Sequence, residues 1–253
     1  MRVIIILKHN INGATLEDSC REAARLGIKG FDLIGPADWP MLKKYGLVPS
    51  MYPAGAGGTI ADALNRKENH DRIRASIRAA IDESAAAGAP NVITFSGNRN
   101  GMSDQEGADN CVAFLDSVKA YAEDKQVTIC MEYLNSKVNH KDYMFDSIDW
   151  GVGVMKRVNS PRVKILYDIY HVQIMDGDVV RNLRDNFDLV CHIHTAGVPS
   201  RQEIDDTQEL NYRFIANAIA DLGYTGFVAH EHRPGPGRDA VKSLQQCFEI
   251  MNV

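Results

Sequence analysis

The chain has 253 residues, of which 45% are hydrophobic and 24% are charged, a balance typical of globular proteins. The formal net charge is −5, so there is no basic excess that would attract nucleic acid or an anionic membrane surface. This length suits either two small domains or one α/β barrel, whose typical size is about 250 residues.

The amino-terminal segment and the cysteines bear on the compartment. The first apolar run, residues 3–7, is shorter than the roughly 7–15 residues of a secretory signal. No stretch approaches the roughly 20 apolar residues that span a bilayer. The five cysteines are scattered and form no C-x-x-C pair, which disfavours a disulfide framework and a zinc finger. We therefore expect a cytoplasmic protein whose partners include neither a membrane nor a nucleic acid.

Short apolar runs alternate with longer amphipathic segments, the pattern of a parallel sheet with crossover helices. The predicted strands are residues 3–7, 30–33, 48–51, 91–95, 128–132, 163–168, 190–194 and 226–230. The predicted helices are residues 15–26, 40–45, 69–87, 104–123, 147–158, 178–186, 212–222 and 239–251. Because each strand is followed by a helix, the chain is predicted to fold as a single-domain (β/α)8 TIM barrel over residues 1–253.

Two predicted loops are longer than most connections, and both follow strand ends. Residues 52–68 include the glycine-rich run Ala54–Gly58, which lacks the spacing of known phosphate-binding loops. Residues 135–146 include His140 and Tyr143. We interpret the glycine-rich loop as a mobile surface loop, and closure of either loop as a lid over a substrate is the open alternative.

Polar side chains end four of the predicted strands: Glu132, Asp168, His194 and Glu231. The carboxyl ends of barrel strands meet at one face, so these side chains are expected to converge there. Three carboxylates do not gather without a cation, which favours one divalent metal ion. Oxygen ligands with one imidazole suit Mg²⁺, Mn²⁺ or Co²⁺, and Zn²⁺ is also compatible. The alternative is that each residue simply ends its strand in solvent.

Strand alternation is compatible with this convergence. Cys130 and Glu132 share one face of their strand, as do His192 and His194. Likewise, Ala229 shares a face with Glu231. We interpret His192 as a hydrogen-bonded core histidine rather than as a further metal ligand.

Several segments carry a resemblance to a known family. They are Pro53–Gly55, Glu132–Asn135, Tyr167–Asp178, His194–Arg201, Glu209–Tyr212 and Glu231–Pro234. Over most of its length the chain resembles the hydroxypyruvate isomerase family, which lies among the xylose isomerase-like barrels together with ketose 3-epimerases. The block Tyr167–Asp178, which reads YDIYHVQIMDGD, is the most specific part of the resemblance.

The resemblance implies a (β/α)8 barrel with one divalent metal, held by the same four residues that end the strands. It also implies that Glu132 and Glu231 act as an acid–base pair, and that His171 and Arg201 contact the substrate. The alternative for His171 and Arg201 is that each is simply a loop residue whose side chain faces solvent. Asn135 is a further candidate for substrate binding, although support of Glu132 or simple turn formation would also explain it.

These roles fit the chemistry of moving a carbonyl between adjacent carbons. A proton must leave a weakly acidic carbon, and a metal can stabilise the negative charge of the resulting enediolate. Two carboxylates can remove and return the proton. The predicted function is a metal-dependent isomerase of a small hydroxy-keto acid or sugar. The alternatives are a ketose 3-epimerase with the same site, an inosose-type dehydratase, an abasic-site endonuclease and a sugar-binding barrel without activity.

Departures from the family pattern leave the substrate open. Residues 140–143 read HKDY where the family tends to have MPGY, and His194–Gly197 lacks a following acid. The segment Leu7–Asn10 also differs from the usual first strand end, and its Lys8 is a candidate polar group at the mouth of the barrel. Homo-oligomers are common among the proteins that the chain resembles.

Overall fold

The computed structural model describes residues 2–6, by their backbone, and residues 15–253. Lys8 and the rest of Leu7–Asn10 therefore lie outside the described residues. The chain divides into two compact units. We call Met1–Ser50 with His192–Val253 the terminal unit, and Met51–Cys191 the central unit.

Strands and helices alternate along the described chain. The strands are β1 (Arg2–Ile6), β2 (Gly30–Asp32), β3 (Val48–Pro49), β4 (Met51–Gly57), β5 (Asn91–Thr94), β6 (Thr128–Glu132), β7 (Val163–Asp168), β8 (Val190–Thr195) and β9 (Phe227–His230). The α-helices are α1 (Leu16–Leu26), α2 (Trp39–Lys44), α3 (His70–Ala87), α4 (Asp104–Lys125), α5 (Ile148–Val158), α6 (Ile169–Met175), α7 (Val179–Asp185), α8 (Tyr212–Asp221) and α9 (Ala240–Met251). No helix within residues 15–253 has the length and apolar content needed to cross a membrane.

Each unit contains one run of parallel strands. In the terminal unit the spatial order is β3-β2-β1-β9-β8, and in the central unit it is β7-β6-β5-β4. Parallel neighbours require crossover connections, and α-helices supply them here. The predicted alternation of strands with helices is therefore confirmed.

Most predicted elements agree with the structure to within about two residues, which is the usual uncertainty at helix ends. Thr15 caps α1 through a reciprocal capping box with Asp18. Gly27 and Gly88 end α1 and α3 in the left-handed conformation that glycine adopts without strain. Local chemistry therefore fixes these boundaries, without help from distant residues.

The glycine-rich segment after residue 51 differs from its prediction. Residues 52–57 continue as strand β4, in which Tyr52 pairs with Val92 of β5 and Gly57 with Thr94. Interpreting residues 52–57 as a mobile loop was therefore wrong. A Cβ at Gly57 would lie 2.4 Å from the Ile93 carbonyl oxygen, so this close pairing requires glycine.

Helix α6 is the second difference, since no helix was predicted between residues 168 and 178, and His171 is buried rather than a loop residue facing solvent. The helix follows β7 directly, with Asp168 as its N-cap. The Asp168 side chain accepts hydrogen bonds from the backbone N–H groups of Tyr170 and His171. An N-cap aspartate before the largely apolar run 169–175 was the signal that could have predicted this helix.

The segment after β6 is anchored by buried aromatic residues. The Tyr143 hydroxyl donates to the Glu132 carbonyl oxygen at 2.9 Å and accepts from the Ser96 N–H at 3.0 Å. Phe145 packs edge-on against Tyr133, with ring centroids 5.3 Å apart. These contacts hold the carboxyl-terminal part of residues 135–146 against the end of β6.

Two glycines of α5 provide a matched test of this packing. A Cβ at Gly151 would lie 2.0 Å from the Phe145 ring, whereas a Cβ at exposed Gly153 would meet nothing within 4 Å. We expect Gly151→Ala to lower the free energy of unfolding by about 1–3 kcal/mol through overpacking. Gly153→Ala should raise it by about 0.5–1 kcal/mol, because alanine is the better helix former. Urea unfolding of both variants measures the difference, and equal effects would contradict the packing around Phe145.

Candidate active site

Two predicted site carboxylates end neighbouring strands of the central unit. Glu132 is the last residue of β6 and Asp168 is the last residue of β7. Leu166 stands opposite Glu132, so Asp168, two residues later, points to the same face as Glu132. The two residues are 6% and 1% exposed. Because a buried carboxylate is costly without a compensating charge or donors, this face favours a cation or strong hydrogen-bond donors.

Asp168 also contacts the predicted substrate histidine. One carboxylate oxygen, Oδ1, accepts hydrogen bonds from the backbone nitrogens of Tyr170 at 2.8 Å and His171 at 3.3 Å. The other oxygen, Oδ2, lies 3.6 Å from Nε2 of the buried His171 ring. Helix capping therefore places Asp168 and His171 side by side at the end of β7.

Asn135 holds His171 from the other side. Its backbone N–H donates to His171 Nδ1 at 3.0 Å, and its side-chain amide nitrogen lies 2.6 Å from the same atom. Since Nδ1 accepts, the proton of the neutral ring resides on Nε2, which faces Asp168. The Asn135 side-chain oxygen accepts from the backbone nitrogens of Val138 and Asn139. The structure thus supports turn formation by Asn135, and its contact with a substrate stays a prediction.

The other two predicted ligands meet in the terminal unit. His194 pairs with Ala229, and Glu231 lies two residues beyond Ala229, so both side chains point to one face. Nδ1 of His194 is 3.3 Å from Oε2 of Glu231. The guanidinium of Arg201 is 2.6 Å from the same Glu231 oxygen, with its side chain 17% exposed. Arg201 therefore contacts a predicted catalytic carboxylate, a neighbour that the sequence did not reveal.

Asp32 is a site neighbour that the sequence analysis missed. Its Oδ2 atom lies 3.0 Å from His192 Nε2 and 2.9 Å from His194 Nε2. Its Oδ1 atom accepts a hydrogen bond from the Ser50 hydroxyl. Asp32 ends β2, so the rule that singled out the other strand-end residues would have found it. The predicted strand continued to residue 33, and Asp32 was passed over. His192 is a buried, hydrogen-bonded core histidine, as predicted.

This contact requires a strongly curled sheet within the terminal unit. Asp32 and His194 stand on strands separated by β1 and β9, a spacing of roughly 14 Å in a flat sheet of strands about 4.8 Å apart. Their side-chain atoms are nevertheless 2.9 Å apart. The face that carries Asp32, His194 and Glu231 is therefore concave.

The environment keeps Asp32 ionised. Burial by itself opposes the charged form, but the attraction of His192 and the hydrogen bonds from both imidazoles outweigh burial. Together they hold the pKa of the Asp32 carboxyl well below its usual range. Asp32, His192 and His194 each have one side-chain oxygen or nitrogen that lies within 4.8 Å of those of the other two residues. Because both imidazoles hydrogen-bond to Asp32 through Nε2, we interpret this group as a hydrogen-bonded cluster that supports His194 rather than as a second metal site.

Comparison with known proteins assigns the fold family. A sequence model described as xylose isomerase-like TIM barrel matches residues 20–249. The chain belongs to this family, and the predicted barrel fold is confirmed. A crystal structure described as AP endonuclease, family 2, from Brucella melitensis has a TM-score of 0.85 at 25% identity, covering 96% of both chains. D-psicose 3-epimerase from Clostridium cellulolyticum, with D-tagatose, has a TM-score of 0.79 at 17% identity, covering 100% of this chain and 98% of the other.

Curated relatives are named as isomerases. The 2-oxo-tetronate isomerase of Haemophilus influenzae is 30% identical over 237 residues, covering 86% of this chain and 87% of the relative. A Danio rerio protein with the provisional name hydroxypyruvate isomerase is 36% identical over 110 residues, which cover 44% of this chain and 40% of the relative. The matches with this protein and its Xenopus laevis counterpart thus span about two fifths of those relatives. The predicted resemblance to isomerases of the family is confirmed.

Asn135 provides a test of how the site is held. In the Asn135→Ala variant the turn at residues 138–139 loses its side-chain acceptor, and His171 Nδ1 loses one neighbour. We expect the free energy of unfolding to fall by about 0.5–2 kcal/mol, as for the loss of a capping side chain. Val138→Ala, at a side chain that is 62% exposed, is the control and should change it by less than about 0.5 kcal/mol. Chemical denaturation measures both, and equal stabilities would contradict this role of Asn135.

Proposed function

We propose that this protein is a divalent-metal-dependent isomerase that interconverts a carbonyl and a hydroxyl group on adjacent carbons of a small hydroxy-keto acid or sugar. One observation carries the proposal: three carboxylates and one histidine stand at strand ends of a chain that belongs to the xylose isomerase-like family. The near-full-length relative that is named 2-oxo-tetronate isomerase supports a hydroxy-keto acid.

The proposed metal ligands are Glu132, Asp168, His194 and Glu231, each of which offers one donor atom. Three carboxylates and one imidazole suit a hard or borderline ion, so Mg²⁺, Mn²⁺ or Co²⁺ is favoured over Zn²⁺. Glu132 and Asp168 are buried at their strand ends, where a cation would offset the cost of two neighbouring carboxylates. A bound divalent ion would act as a Lewis acid and stabilise negative charge on the substrate oxygens.

Glu132 and Glu231 are proposed to transfer the proton between the two carbons. A carboxylate takes a proton in its ionised form, and the Arg201 guanidinium beside Glu231 favours that form. Arg201 also offers a cation to the carboxylate of a 2-keto acid. His171, with its Nε2 proton directed by Asn135, is proposed to donate a hydrogen bond to a substrate oxygen.

The strongest alternative is a ketose 3-epimerase that uses the same residues. The solved structure of D-psicose 3-epimerase shares the fold, but an identity of 17% does not indicate a shared substrate. An epimerase returns the proton to the opposite face of one carbon, so the stereochemistry of the product separates the two reactions. The acidic net charge of −5 disfavours an abasic-site endonuclease, which must bind DNA. An inosose-type dehydratase would be recognised by a product that has lost water.

Two further properties belong to the proposal. The protein is proposed to act in the cytoplasm, because its five cysteines are scattered along the sequence and form no C-x-x-C pair, as is usual in a reducing compartment. Its proposed partner is a small-molecule substrate rather than a nucleic acid or a membrane. A homo-oligomer fits the family resemblance.

Asp168 tests the metal site with little change to the fold. Asparagine caps helices as well as aspartate does, so Asp168→Asn should keep α6 while removing the negative charge. We expect the variant to lose most of the divalent metal that the purified wild-type protein binds, as measured by plasma mass spectrometry after metal loading and desalting. Asp178→Asn, at an exposed residue after α6, is the control and should keep the metal. Full metal content in Asp168→Asn would contradict the assignment.

Glu231 tests the proton transfer. In deuterium oxide, the wild-type protein should introduce deuterium at the carbon next to the carbonyl of hydroxypyruvate, a 2-oxo-tetronate or a ketose, as followed by proton NMR. Glu231→Gln cannot accept the proton, so exchange and turnover should fall by about 10²–10⁴-fold.

Glu203→Gln is the matched control for Glu231, because Glu203 is also an acidic residue of the terminal unit. Its buried carboxylate accepts hydrogen bonds from the Ser243 hydroxyl and the Gly235 backbone N–H, and Glu203 is not one of the proposed metal ligands. This variant should keep the exchange. Undiminished exchange in Glu231→Gln would refute the assigned role, and an epimeric product would favour the alternative reaction.

A further inference from the structure

Asp32 occupies a position that the proposed reaction does not use directly. It is fully buried, and its described polar contacts are with Ser50, His192 and His194. Both imidazoles approach the same oxygen, Oδ2, through their Nε2 atoms. One ring, His194, turns its other nitrogen towards Glu231, at 3.3 Å.

The strand registers explain why Asp32 faces these rings. Asp32 pairs with Ile6 of β1, and Ile4, two residues earlier, pairs with Ala229. Ala229 pairs in turn with His194. Because alternate residues of a strand share a face, this backbone register places Asp32, Ala229 and His194 on the same concave side. The contact is therefore built into the sheet of the terminal unit and does not depend on a surface loop.

The hydrogen-bonding chemistry fixes where the proton of His194 resides. An ionised carboxylate has only acceptor atoms, so the nitrogen that contacts it must carry the hydrogen. A neutral imidazole has one N–H group and one lone pair. With the hydrogen on Nε2, the lone pair of His194 is on Nδ1, the atom on the Glu231 side.

We propose that Asp32 is a positioning residue for His194, because it holds the proton on Nε2 and thereby presents Nδ1 as the nitrogen that binds the metal. This inference rests on the proposed function for the identity of the metal ligand. The hydrogen bond also fixes the rotation of the ring. Carboxylates that accept the second N–H group of a metal-binding histidine orient the ring and increase its basicity.

His192 separates this role from simple packing. It is equally buried and bonds to the same Asp32 oxygen, but it is not a proposed ligand. If Asp32 only supported the fold, loss of His192 and loss of the Asp32 charge would affect the site in the same way. If Asp32 acts through His194, only the change at Asp32 weakens metal binding.

The first measurement uses the metal-free wild-type protein with ¹⁵N-labelled histidine. Two-bond ¹H–¹⁵N correlation spectra report which ring nitrogen carries the proton, and His194→Gln identifies the His194 signal. We expect a proton on Nε2 of His194. A neutral His194 ring with its proton on Nδ1 would overturn the proposal, whether or not any Asp32 variant folds.

The second measurement compares the affinity for Mn²⁺ in Asp32→Asn and His192→Gln, by isothermal titration calorimetry. We expect Asp32→Asn to weaken binding by about 10–100-fold, the usual effect of removing such a carboxylate. His192→Gln should keep the wild-type affinity. Thermal unfolding of both variants shows whether a change in affinity accompanies a change in stability.

The outcomes distinguish this inference from the proposed function. If the wild-type protein binds no divalent metal, the proposed function fails, and the inference about Asp32 fails with it. If the wild-type protein binds Mn²⁺ and Asp32→Asn binds it equally well, only the role of Asp32 is refuted. Equal losses of affinity in Asp32→Asn and His192→Gln would also refute it, because they would indicate a common effect on packing.

Discussion

The hydrogen-bonded register between parallel strands is the constraint on which the site depends. Once neighbouring strands are in register, every second side chain of each strand points to the same face. Leu166 pairs with Glu132, so Asp168, two residues after Leu166, points to the same face as Glu132. In the same way Ala229 pairs with His194, so Glu231 points to the same face as His194. A shift of one residue in either pair would turn one of these side chains to the other face.

Electrostatics explains how such polar side chains tolerate burial. Asp32 keeps its charge because two imidazole N–H groups and a hydroxyl surround it. Asp168 receives two backbone N–H groups from the first turn of α6. Glu231 has the Arg201 guanidinium beside it. Each of these carboxylates thus has hydrogen-bond donors or a cation from its own unit, which offsets the cost of placing an acidic group away from water.

Much of the fold was predictable because its signals are local. Capping residues and terminal glycines marked the ends of α1 and α3, and apolar periodicity gave strands and helices in the correct order. Residues 52–57 and helix α6 were missed for related reasons. Glycines usually mark loops, but here they allow β4 to approach β5 closely. The seven residues of α6 are too few for a periodic pattern to separate the helix from a loop, and a capping side chain defines its start.

The sequence by itself determined which side chains end the strands and which of them share a face, because alternation is a property of each strand alone. It also contained the family motifs, since these are runs of adjacent residues. Only the tertiary structure decided that Asp32 contacts His194, 162 positions away, and that Arg201 contacts Glu231. Those contacts depend on the order of the strands and on the curvature of the sheet. Both result from packing among distant segments, which no local pattern encodes.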